Sequence, residues 1–240
     1  MSEEELQSMR HSLAHIMAQA IQHLWPQAKF GVGPAIDNGF YYDIYLDNGT
    51  ISEADLPKIE EEMRKIVAAN YPFERRDVSV EEAIDWAIKG DQSFKVELLN
   101  DLKRFGTTVA SELAGEKMGS VSDGDSKVET VSLYSQGDYT DLCRGGHADS
   151  TGKVGAFKLT KTAGAYWRGN ENNPQMQRIY GVAFATQEEL DEYLNRLEIA
   201  KQRDHRKLGK ELDLYTTSPL VGIGLPLFTP RGTILRDIVA

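Results

Sequence analysis

Two pairs of side chains pose the chemical question in this chain: His11 and His15 in HSLAH, and Cys143 and His147 in CRGGH. Residues four apart lie one above the other on a helix, so the first pair offers two imidazoles on a rigid support. The second offers a thiol and an imidazole on a glycine-bearing turn just after Asp141. Three imidazoles and one thiol have the number and softness of a zinc ligand set. The same groups would equally serve a metal-free site, in which a histidine or the cysteine positions a water and Asp141 orients a histidine. Each pair alone has a plain alternative, a solvated helix face for one and a buried structural cysteine for the other. Both together favour a site. His23 and His205 have no such pairing and read as structural or solvated. A covalent role for Cys143 is the weaker reading, because the cysteine completes a ligand-like set of four. An HExxH zinc hydrolase is argued against by Ser12, which stands where that motif needs glutamate.

The elements that must hold these groups mix helices and strands. Residues 3–25 read as a helix, because Leu6, Met9, Leu13, Ile16, Ala20 and Leu24 recur at steps of three and four and Pro26 ends the pattern. With His11 set at zero and a step of about 100° per residue, His15 falls at about 40° and the apolar stripe at about 200°. Both histidines therefore point away from the main packing face. Their side carries Ala18 and Gln22 rather than Lys or Glu, so a second layer is expected there.

FYYDIYL reads as a strand, DNGT (47–50) as a hairpin turn, and 53–70 as a helix with Pro57 in its first turn. ERRDVSV is a short strand, and Ser79 with Glu82 has capping-box spacing for a helix over 80–89. Residues 92–103 read as helix, 118–127 as a polar loop, 128–135 as a strand, and YTDLCRGGH as a turn. Two further strands flank ENNPQ, a long helix runs over 187–210, a turn-rich stretch follows, and TILRDIVA opens a new helix. This pattern predicts an α+β fold with antiparallel sheet, not an alternating βαβ sheet.

The chain has 240 residues, 27 Lys+Arg against 37 Asp+Glu, a formal net charge of −10, 40 % apolar and 27 % charged residues. These values describe a soluble globular protein of one or two domains. No apolar run is long enough to cross a bilayer, and MSEEELQSMRHS has no secretory h-region. The single cysteine excludes an intrachain disulfide and suits a reducing cytosol. The acidic total hides basic stretches at Lys153–Arg178 and Arg196–Lys210, the first interleaved with Tyr166 and Trp167, as nucleic-acid contact would require.

In order along the chain, HSLAH, GVGPAIDNGFYYD, SFKVELL, YTDLCRGGH, AGAYWRG, QRIYG and RDHRKLGKELDL closely resemble the bacterial threonyl-tRNA synthetase family. The resemblance runs nearly from residue 8 to the C-terminus. It implies an editing domain over 1–186, a linker helix over 187–212, and a truncated start of the class II aminoacylation domain over 213–240. The implied activity is hydrolysis of mischarged Ser-tRNA(Thr), while ATP-dependent threonylation would need the remainder of that catalytic domain. Residues implied to be catalytic are His11, His15, Lys95, Asp141, Cys143 and His147, with Gly33 and Tyr42 at the substrate. Zn2+ is an optional ligand of the four His/Cys side chains. ATP, Mg2+ and a separate Zn2+ belong to the catalytic domain. Implied partners are tRNA(Thr) and its 3′ acceptor end, with no membrane, a cytoplasmic location, a monomeric fragment and a homodimeric full-length protein. The competing readings are a free-standing editing factor and a tRNA-binding module with a degenerate site. One departure concerns the turn: the family usually has CRGPH, and Gly146 here loosens the link from Cys143 to His147.

The implied chemistry has a physical motive. A site that selects threonine by its hydroxyl still admits serine, since a missing methyl costs only about 1–3 kcal/mol. A second site that excludes threonine by that methyl restores the discrimination.

Overall fold

The computed structural model describes residues 1–106 and 128–239, so the polar loop expected at 118–127 lies outside the described residues. The chain divides into two compact units, Met1–Leu190 and Asp191–Ala240.

The first unit begins with α1 (Glu3–Leu24), opened by a reciprocal capping box between Ser2 and Glu5. Then follow β1 (Lys29–Phe30), β2 (Ala35–Ile36), β3 (Gly39–Tyr45), a 3-10 turn over Glu53–Asp55 and α2 (Leu56–Ala69). The chain continues through β4 (Glu74–Ser79), α3 (Val80–Lys89), α4 (Ser93–Phe105), β5 (Thr130–Gln136), β6 (Tyr139–Leu142), β7 (Ala156–Tyr166) and β8 (Gln175–Phe184). Helices mixed with antiparallel strands bear out the α+β expectation.

One sheet runs β1-β3-β8-β7, with β2 added to β3. α1 and α2 cover it, and the apolar stripe of α1 (Leu13, Ile16, Met17, Ile21) is sealed against Phe40, Ile44, Ile59 and Met63. The smaller sheet runs β4-β5-β6 and packs with α3 and α4 around Val80, Ala83, Leu99 and Leu133. Thus α1 is buried almost all round from Met9 to Ile21, including the histidine side, where the second layer was expected.

Two turn expectations need correction. The hairpin is not at DNGT (47–50), which leads to the 3-10 turn and α2. It lies one turn signal earlier, where Ile36 pairs with Gly39 around Asp37 and Asn38, and Asn38 takes the positive φ of 60° that a tight turn needs. The YTDL part of YTDLCRGGH is also not turn but strand, with Tyr134 opposite Asp141. Short alternating segments of this kind gain their strand character from the neighbour, not from their own composition.

His23 is neither a core nor a free histidine. Its Nδ1 lies 2.8 Å from Glu62 and its Nε2 3.0 Å from Asp138, so it ties α1 to α2 and to the β5–β6 turn. Partial burial lowers its pKa, but the two carboxylates outweigh burial and raise it above the ordinary value. The stability this gives is fully present below the unfolded histidine pKa and is lost as pH rises through the folded one. Glu62 and Asp138 have lowered pKa values, so their share is lost as pH falls into the carboxylate range. Denaturant unfolding should therefore show His23→Gln less stable by about 0.5–1 kcal/mol between about pH 5 and 6, with the difference gone by about pH 9.

The second unit holds most of α5 (Gln187–Gln202), with α6 (His205–Glu211), the hairpin β9 (Tyr215–Ser218) and β10 (Gly222–Phe228), and α7 (Pro230–Val239). The single helix expected over 187–210 is two. Asp204 leaves helical geometry at ψ 120°, and its carboxylate accepts the Arg206 N–H, so it stops one helix and caps the next. The stretch expected as turn-rich pairs as a hairpin, with Phe228 opposite Tyr215 and an irregularity between Gly222 and Pro226.

Candidate active site

Seven of the eight residues singled out in the sequence line one cavity of about 650 Å3 in the first unit: His11, His15, Gly33, Tyr42, Lys95, Asp141 and Cys143. The eighth, His147, stands behind His11 with its ring stacked at 4.3 Å.

Each group is held by a different element. α1 supplies His11 and His15 from adjacent turns. β6 carries Asp141 one residue before its end, and the Oδ1 of Asp141 accepts the N–H of Leu142 at 2.8 Å. The Cys143 N–H still bonds to Ser132 O at 3.1 Å, so the thiol leaves the sheet in a fixed direction. The chain then turns through Gly145 and Gly146 at φ 108° and 81°. A proline cannot take such a φ, which is why glycine at 146 makes this turn. The ring of His147 is nonetheless held on several sides. Its Nε2 lies 3.2 Å from Cys143 Sγ, its Nδ1 lies 3.4 Å from Ser12 Oγ, and its face stacks on Phe73 at 4.7 Å.

Lys95 projects from α4 and is 3 % exposed. Its Nζ lies 2.5 Å from Asp141 Oδ1 and donates to Tyr42 OH at 3.1 Å. Tyr42 in turn donates to Asp141 Oδ2, and His15 Nε2 lies 3.8 Å from that oxygen. Gly33 lets the backbone pass across the Tyr42 ring, since a Cβ there would fall inside it.

Burial sets the protonation states. It pushes the Cys143 thiol up to about 11. It lowers His147 to about 2, with the neighbouring His15 and His11 adding to the effect. His15 is held well below the ordinary value by burial and by His11, and His11 is lowered by burial. Tyr42 is raised well above its ordinary value by burial and Asp141, so it remains a donor. The shifts favour three neutral imidazoles and a neutral thiol at neutral pH, and these stand beside the Lys95–Asp141 ion pair. Neutral imidazole is the form that accepts a proton.

The four His/Cys ligand atoms all lie within 4.8 Å of one another. Tetrahedral zinc with sulfur at about 2.3 Å and nitrogen at about 2.0 Å spaces its ligands at about 3.5 Å. The Sγ of Cys143 lies 3.5 Å from His11 Nε2 and 3.2 Å from His147 Nε2. The buried Nδ1 of His15 has no hydrogen-bond partner among the described residues. The two sulfur–nitrogen spacings and the unpartnered nitrogen suit a zinc ion, and the 4.8 Å spread of the set would have to close around it.

Sequence reasoning missed Ser12 and Phe73. Ser12 was visible inside HSLAH, yet its hydroxyl accepts the Ala148 N–H at 2.8 Å as well as meeting His147. Phe73 carried no signal. The basic stretch Lys153–Arg178 is also not the free cationic surface expected. Lys158 pairs with Glu60, Arg168 with Glu97 and Asp101, and Arg178 with Asp43, while Trp167 is 3 % exposed and faces Phe94. Three of the five Lys/Arg in this stretch are thus matched by acids from elements distant in sequence.

Residues 131–180 match the family described as the threonyl and alanyl tRNA synthetase second additional domain. A threonine–tRNA ligase of Geobacillus sp. (strain WCH70) is 50 % identical over 236 residues, 98 % of this chain and 33 % of that protein. The chain is similar to threonine–tRNA ligases over nearly its whole length. Threonine–tRNA ligase 1 of Bacillus subtilis (strain 168) is 50 % identical over 238 residues, 99 % of this chain and 33 % of the relative. The enzyme of Pelobacter propionicus is 48 % identical over 238 residues, 99 % and 34 %. The chain therefore spans about a third of the length of these relatives, and its site lies within that third. No helix among the described residues is long and apolar enough to cross a membrane.

Proposed function

We propose that this chain hydrolyses the ester of mischarged Ser-tRNA(Thr), using the cavity that gathers His11, His15 and Cys143, with His147 behind them, beside Lys95, Asp141 and Tyr42. The carrying observation is that convergence: seven of the eight residues come from four separate segments to a single cavity. Hydrolysis adds water to the ester carbonyl and expels the ribose hydroxyl of the terminal adenosine. His11, neutral and lining the cavity, accepts the proton of that water. Lys95, fixed by Asp141 and Tyr42, offers a positive charge to the oxygen on which negative charge develops. Gly33 admits the seryl group close to the backbone, where the extra methyl of threonine has less room. A zinc ion held by His11, His15, Cys143 and His147 would be four-coordinate, would fix the geometry of the cluster and would take up the His11 nitrogen, so with metal bound a group other than His11 would accept the proton of the water.

The partner of this reading is tRNA(Thr), entering by its single-stranded 3′ end. ATP, Mg2+, a second zinc and a dimer interface are assigned to the remaining two thirds of a ligase of this kind. The location is cytoplasmic, where the charged tRNA is made.

Single-turnover deacylation of Ser-tRNA(Thr) beside Thr-tRNA(Thr), with and without chelator, tests the proposal. Fast loss of the seryl ester alone is expected. A chelator-induced loss would add the metal to the reading, and unchanged rates would remove it. Binding of tRNA without seryl discrimination would leave only a binding module.

A further inference from the structure

Lys95 is buried on α4, whose Leu99 and Leu102 pack on the smaller sheet while its Phe94 and Leu98 face the loop from β7 to β8. That loop adds polar ties to the packing. Trp167 donates its indole N–H to Glu97 at 3.0 Å, and Arg168 lies 3.1 Å from Glu97 and 2.5 Å from Asp101. The Trp167 ring packs on Phe94, the residue before Lys95, at 5.0 Å, and Phe94, Leu98, Trp167 and Met176 form a small apolar cluster of their own.

At about 100° per residue, Phe94, Glu97, Leu98 and Asp101 form one face of α4 and Lys95 stands at its border. A rotation of about 10° moves a side-chain tip about 6 Å from the axis by about 1 Å, enough to break the contact of Lys95 with Asp141. The backbone gives an independent sign. Arg168 sits at φ 56°, a conformation that glycine or asparagine adopts at lower cost. Strain of this sort persists where the side chain is needed. The Arg168 side chain is only 14 % exposed and spends its charge on the two α4 acids.

We infer that Trp167 and Arg168 are positioning residues that lock α4 so that Lys95 meets Asp141 and Tyr42 in the cavity. The inference rests on the reading of Lys95 as part of the hydrolytic site. Neither residue lines that cavity.

The test uses the full chain and the variants Arg168→Asn, Arg168→Lys and Asp101→Asn, with single-turnover Ser-tRNA(Thr) deacylation and thermal unfolding measured together. Arg168→Asn relieves the backbone while removing the ion pairs, so its melting temperature should hold. Its maximal rate should fall by about tenfold to a hundredfold with half-saturation unchanged. Asp101→Asn should fall in parallel, and Arg168→Lys should recover part of the rate. A maximal rate for Arg168→Asn equal to that of an active wild type overturns the inference and leaves the hydrolytic reading intact. Rates that fall only in step with folded protein overturn it too, and assign the loop a purely structural part. A wild type that does not hydrolyse the seryl ester removes the reading beneath it.

Discussion

Asp141→Asn should destabilise the first unit by about 3 kcal/mol, because it strands the Lys95 ammonium in a buried site without its counter-charge. The pair lies at 2.5 Å with both side chains 3 % exposed, so solvent does not take over the lost interaction. For a domain of this size the melting temperature should drop by about 6–12 °C. The cost is that of breaking the pair and not the net worth of having it. The double variant Lys95→Met with Asp141→Leu should therefore recover most of the stability. It should recover none of the deacylation, since both groups that face the cavity are gone. A double variant as unstable as the single one would show that the network around Tyr42 and His15 depends on the carboxylate itself.

His11→Ala should lower the single-turnover rate of seryl ester hydrolysis by about 10²–10³-fold, the usual worth of a positioned proton acceptor. Half-saturation should barely move, because the change removes no group placed to bind the tRNA. The His11 ring also stacks against His147, so a thermal melt belongs beside the rate measurement. A rate within threefold of wild type would pass the role of base to another group, and His15→Ala would then be the variant to compare.

The sequence made the helices legible wherever apolar spacing and caps coincided. α1 and α3 start and stop within a residue of expectation with their caps in place, while α2 starts three residues later than expected, after a 3-10 turn, with Pro57 in its first turn. The site was equally legible at residues whose chemistry is scarce, since histidine pairs and a lone cysteine stand out against a common background. What stayed hidden depended on partners far along the chain. Phe73 supports His147 across 74 positions, and the acids that neutralise Arg168 and Lys158 lie on α4 and α2. Local pattern also misplaced the hairpin, because Asp-Asn-Gly occurs at both 37–39 and 47–49 and only Asp37 and Asn38 have paired strands on either side.

The order of strands has a consequence for how the protein is made. β8 lies between β3 and β7, yet it is the last of the sheet to be synthesised. At about 5–20 residues per second, roughly 7–28 s separate the synthesis of Tyr45 from that of Phe184. Through that interval the edge of β3 that β8 pairs in the finished fold lacks its partner's donors and acceptors. A growing chain is thus exposed to mispairing along Phe40–Ile44 until the strand that seals it emerges. Substitutions in β8 should show first as lost yield during synthesis, before any change in the folded protein's activity.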